Sequence, residues 1–150
     1  MAASTPIPII LCGKTEQIGQ GVIEGLKPEF EVVQFIMNPG AVITEVPFIL
    51  RGEAPESSSS SIGTGNVAAG VRAVLLGGAF DDATIFLIRT EIARSITSPK
   101  LPWVRQDMEK PAPPLGPEYG KAMVARSKEA LLKLQAEGKL DGTDDGLYYY

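Results

Sequence analysis

Ile7-Pro-Ile-Ile-Leu-Cys12 is the stretch on which the fold turns. It is apolar, rich in branched side chains and closed by Gly13, the pattern of a strand buried on both faces as in a parallel sheet. Ile18, Val22, Ile23 and Leu26 follow at helical spacing until Pro28 stops the helix. Phe30-Glu-Val-Val-Gln-Phe-Ile36 then reads as a second strand, closed by the turn signal Asn38-Pro39-Gly40. Strand, helix and strand in about 30 residues make one crossover unit.

The pattern repeats outward from this unit. Ala41 to Leu50 is apolar but interrupted by Pro47, and reads as a short helix or an extended cover segment. Residues 52–70 include the serine run Ser57–Ser61 together with Gly63, Gly65 and Gly70, the composition of a flexible loop. Val71–Leu76 is a third strand ended by Gly77-Gly78. Asp81 is placed to cap a helix whose Ile85, Ile88, Ile92 and Ile96 share one face. Leu101–Arg105 reads as a fourth strand, expected at an edge because Pro102 cannot donate to a ladder. Residues 110–117 form a proline-rich connector, 117–138 a last helix with Gly138 as its cap, and 139–150 a tail ending in Tyr148–Tyr150.

Together these elements predict a single α/β domain over 1–150. Its core is a small, open, mostly parallel four-stranded sheet with helices on both faces. Strand order is open between the flavodoxin-like 2-1-3-4 and the Rossmann-like 3-2-1-4.

Composition excludes several chemistries. With no histidine among 150 residues there is no Ser-His-Asp triad, Cys-His dyad or imidazole metal site, and a metal site is not expected. The lone Cys12 rules out an internal disulfide and suits a reducing compartment, so a cytoplasmic location is expected. A net charge of −4 argues against nucleic acid as partner, and no apolar stretch is long enough for a membrane span.

Ligands of such sheets bind beyond the carboxyl ends of the strands. That directs attention to Cys12–Gly21, Met37–Gly40, Gly77–Asp82 and Gln106–Met108. The first loop, Gly13-Lys14-Thr15-Glu16-Gln17-Ile18-Gly19, lies between strand and helix, where a helix N-terminus can hold an anion. It is not a P-loop, because Pro8 stands where that motif needs glycine. Lys14 and Arg105 are candidate anion ligands at this rim. Asp81 and Asp82 are candidates for a sugar hydroxyl or a cation, with N-capping as the competing role. Cys12, at a strand end beside a helix start, is a candidate reactive thiol, with simple burial as its competing role.

The Gly13–Gly19 loop resembles the G-x-T-G-x-x-G fingerprint of NAD(P)-binding Rossmann domains, notably atypical short-chain dehydrogenases of the NmrA type. Asn38-Pro39 is similar to that family's dipeptide after the second strand. The resemblance covers about the first 40 residues. It implies NAD(P) as cofactor, with Gly13, Thr15, Ile18 and Gly19 in register with the fingerprint and Asn38 after the second strand; Lys14, Gly77 and Gly78, at neighbouring strand ends, complete the candidate cofactor site. The chain departs from the pattern at Glu16, which replaces the fingerprint's middle glycine, and Tyr119-Gly-Lys121 lacks the spacing of the short-chain Tyr-x-x-x-Lys pair.

Three functions follow as expectations. The first is a Rossmann-like binding or interaction module with a degenerate nucleotide site and a small nucleotide or anionic ligand. Self-association as a homodimer is expected for it, motivated by the small parallel sheet, the long C-terminal helix and the aromatic tail. The second is a nucleotide-dependent oxidoreductase or transferase using Gly13–Gly19. The third is a thiol enzyme using Cys12.

Overall fold

A computed structural model describes residues 5–150. The elements alternate strictly: β1 (Ile7–Cys12), α1 (Glu16–Leu26), β2 (Phe30–Ile36), α2 (Pro39–Leu50), β3 (Val74–Leu76), α3 (Asp82–Ser95), β4 (Trp103–Arg105), α4 (Pro117–Ala136) and β5 (Leu147–Tyr149). All strands are parallel, in the order β2-β1-β3-β4-β5, the flavodoxin-like of the two windings.

The sheet has five strands rather than four because the tail docks on its own domain. Tyr148 sits opposite Val104 and Tyr149 opposite Arg105. Asp107 N–H donates to Tyr150 O at 2.8 Å, and the Tyr150 hydroxyl donates to Leu76 O at 2.8 Å. This pairing corrects the edge position expected for β4. Pro102 precedes the strand and contributes only its carbonyl, which accepts from Val74 N–H. Tyr148 and Tyr150 thereby pack against their own domain, while Tyr149 stays exposed.

The alternation of side chains on buried strands separates two cores. Ile10, Cys12, Val74, Leu76 and Trp103 pack under α2 and α3. Ile9, Leu11, Ala73, Leu75 and Val104 pack under α1 and α4. α2 runs straight through Pro47, since Val42, Val46 and Ile49 are fully buried and packing outweighs the lost backbone bond. Asn38-Pro39, expected to be a turn, instead starts this helix. The Asn38 side chain accepts from Ala41 N–H at 2.8 Å and Pro39 occupies the first turn.

The serine-rich segment is tied down as a strap along the outer edge of β2. Phe35 N–H donates to Ile62 O, Thr64 N–H to Val32 O and Gly65 N–H to Val33 O. Gly63, at φ +110°, allows the closest approach, where a Cβ would lie 2.6 Å from Val33 O. The buried Glu45 carboxylate accepts from Ser59 N–H and from the Gln34 amide, holding the strap from beneath.

One crossover departs from the usual hand. α1 leads from β1 to β2, and α2 and α3 lead the opposite way along the sheet on the opposite face, so these three crossovers share one hand. α4 leads from β4 to β5 in the direction of α2 and α3, yet packs on the face of α1. It therefore has the opposite hand, the rare left-handed one. The long connectors 106–116 and 137–146 make this detour. Its consequence is that α4 faces α1 across the sheet's switch point. Among the described residues no helix is long and apolar enough to cross a membrane.

Candidate functional site

The gap between α1 and α4 is a cavity of about 360 Å³. It lies over the carboxyl ends of β1 and β3, where the strand order reverses and where sheets of this kind place their ligands. One wall is the loop Gly13–Thr15 with Ile18, Gly19 and Val22 of α1. The opposite wall is Tyr119, Met123 and Ser127 of α4. Phe35 and Leu75 form the floor, and Gly77, Gly78 and Gln106 close the end. Ile18, Met108 and Leu115 stand at the mouth as exposed apolar side chains.

The polar groups are few. Thr15 caps α1, its hydroxyl accepting from Ile18 N–H at 3.4 Å. The Ser127 hydroxyl donates back to Met123 O at 2.7 Å and is thereby turned into its own helix. Gln106 is only 4% exposed, and its Oε1 accepts from the Tyr119 hydroxyl at 3.0 Å. Lys14 is the one charged residue among those described as lining the cavity.

The glycines of the first loop have a packing cause. A Cβ at Gly19 would lie 2.8 Å from Phe35 Cε1, and one at Gly13 would lie 3.1 Å from it. Both residues are glycine because the Phe35 ring fills the space where side chains would go. At Gly78 a Cβ would stand 2.8 Å from Gln106 Oε1 and 3.0 Å from Met108 Sδ. Glu16 turns away from the cavity and accepts from the Ser60 hydroxyl at 2.6 Å.

Cys12 contributes no thiol to the cavity. Strand alternation points its side chain into the core under α2 and α3, where it is fully buried. Burial, and after it the negative charge of Glu45, push the thiol well above its ordinary pKa. This corrects the reactive-thiol candidate, because a protonated, enclosed sulfur is not a nucleophile. Burial likewise raises the Tyr150 phenol, so it remains a neutral hydrogen-bond donor.

Kojic acid related protein 6 of Aspergillus oryzae is 35% identical to this chain over 137 residues, covering 90% of this chain and 82% of the relative. The chain belongs to the kojic acid related protein 6 family. No family model matches the chain, and no solved structure matches it.

In this family member the other candidates scatter. Asn38 caps α2 and does not line the cavity. Asp81 caps α3, accepting from Thr84 N–H at 2.8 Å; hydrogen bonds from Thr84 hold its carboxyl below the ordinary range. Arg105 points to the α3 face, is buried, and is paired with Asp82, so it is not a free anion ligand at the rim. Among the described residues no group of three or more His, Cys, Asp or Glu could hold a metal ion. Of the expected site residues, Cys12 (through its backbone), Gly13, Lys14, Thr15, Gly19, Gly77 and Gly78 meet at the cavity. Tyr119, Met123 and Tyr150 were not expected there, because nothing local in the sequence announces that α4 returns to the face of α1.

Proposed function

We propose that this chain is a binding module whose crevice takes a small, neutral, mostly apolar organic molecule. The observation that supports this reading is the cavity's lining. It sits at the switch point, and Lys14 at its rim is its single charge. A volume near 360 Å³ is at the lower end of the range for ligand pockets. A single ring fits that size better than a dinucleotide. Burying a pyrophosphate among such walls would leave its charge unpaired. The packing cause of Gly13 and Gly19 also supplies a reason for those glycines that needs no cofactor.

The lining contains neither a carboxylate side chain nor histidine, and its thiol is turned away, which supports binding over acid–base chemistry. A binding role is the reading this supports. The relative's name associates that protein with kojic acid, a small hydroxylated oxygen heterocycle, which makes kojic acid a natural first probe. A ligand that binds only the folded chain raises its melting temperature. The test is a thermal-shift panel of kojic acid and other neutral rings against NAD, NADP, FMN, ATP and coenzyme A. Stabilisation by neutral rings alone is expected, and stabilisation by a nucleotide alone would overturn the reading in favour of a nucleotide-dependent enzyme.

A further inference from the structure

Gln106 follows β4 directly and lies on the same face as Val104, so its side chain enters the cavity from the closed end. It is more than nine-tenths buried. Its Oε1 is held by the Tyr119 hydroxyl and abuts Gly78, where no side chain intervenes. Its Nε2 makes no hydrogen bond to any described residue and keeps accessible surface, since among the described residues Arg126 Nε is the fully buried side-chain nitrogen without a partner. The amide is thus oriented with its acceptor satisfied and its donor open to the cavity.

We infer that Nε2 of Gln106 is the anchor for the ligand, and that the ligand carries a neutral accepting oxygen, a carbonyl or its equivalent, on an apolar ring-sized body. This rests on the proposed binding role of the crevice and names the chemistry it selects. A carboxylate or phosphate could also accept from Nε2, but the one cation of the lining, Lys14, is an exposed side chain at the rim, and the remaining walls would leave such a charge poorly offset. Tyr119 is a positioning residue: it donates to Oε1 and so fixes which end of the amide faces the ligand.

Acetophenone and α-methylstyrene have the same shape and differ in whether an oxygen or a methylene group stands at the branch. Each is titrated into the isotope-labelled intact chain, with the Gln106 side-chain NH2 signals followed by NMR. The inference predicts about tenfold tighter binding of acetophenone, the equivalent of one net hydrogen bond, with the Gln106 NH2 signals shifting. Gln106→Leu is expected to abolish the preference for acetophenone over α-methylstyrene. Tyr119→Phe is expected to weaken the preference by freeing the amide. Equal binding of the two probes with unmoved Gln106 signals would overturn the anchor and leave the crevice reading intact. Binding of neither at millimolar concentration would overturn both. The comparison within the unmodified chain decides the matter even if a variant fails to fold.

Discussion

The ring of Phe35 occupies the place where a side chain on residue 19 would be, 2.8 Å from a Cβ built on Gly19. A glycine in a helix interior is normally a liability, and alanine there gains about 1 kcal/mol. Here the added methyl meets an aromatic ring in a close-packed core, which costs about 1–3 kcal/mol. Gly19→Ala is therefore expected to destabilise the chain, against the helix-propensity trend. Phe35→Leu should relieve part of that cost, giving a coupling of about 1 kcal/mol or more in a double-mutant cycle followed by urea unfolding. Additive effects would show that Gly19 is glycine for another reason.

The burial of Cys12 predicts its chemistry. Iodoacetamide is expected to leave the native chain unmodified at mildly alkaline pH and to label it stoichiometrically in denaturant, since the thiolate is both disfavoured and enclosed. Cys12→Ala is expected to cost about 1 kcal/mol through lost packing and to leave ligand affinity unchanged. Rapid native labelling, read by mass spectrometry, would contradict this.

Glu45 predicts an unusual pH slope. Burial raises its carboxyl above the ordinary value, against the hydrogen bonds from Ser59 that favour the charged form. The folded chain therefore holds this proton more tightly than the unfolded chain does. Between the ordinary carboxylate pKa and the raised one, Glu45 stabilises the fold as pH falls and penalises it as pH rises. Glu45→Gln should flatten the stability profile in the pH range just above the ordinary carboxylate pKa. It should also loosen the strap, because Ser59 N–H loses a charged acceptor. An unchanged slope would show that Glu45 titrates normally.

Tyr150 joins the tail to the cavity wall, its hydroxyl on Leu76 O and its backbone oxygen accepting from Asp107 N–H and the Arg126 guanidinium. Tyr150→Phe is expected to cost about 1–3 kcal/mol by orphaning a buried acceptor. Deletion of residues 147–150 should cost more and weaken ligand binding, because β5 and the Tyr150 part of the cavity lining leave together. Ligand affinity unaffected by the deletion would place the binding site elsewhere.

The first crossover was legible because its signals are local: an apolar run, a helical repeat ended by Pro28 and a second run. The same holds for Asp81 as a cap and for the isoleucine face of α3. What escaped depends on distant partners. β5 is three residues long and becomes a strand only when β4 offers it an edge. The strap looked mobile because its ties run from backbone groups to β2, which composition does not reveal. Pro47 reads as a helix breaker until the burial of Val42, Val46 and Ile49 is known. Half of the site was visible in Gly13–Gly19 and Gly77-Gly78. The Gln106–Tyr119 pair was not, because its hydrogen bond joins a strand end to a helix that reaches it by a left-handed detour.

The measurement that tests the central claim most directly is the position of a bound neutral ring. Intermolecular NOEs from acetophenone to the methyl groups of Ile18, Val22 and Met123 are predicted, since these line the two helical walls of the crevice. NOEs confined to the exposed Phe86 and Leu87 of α3, on the opposite face of the sheet, would contradict the account.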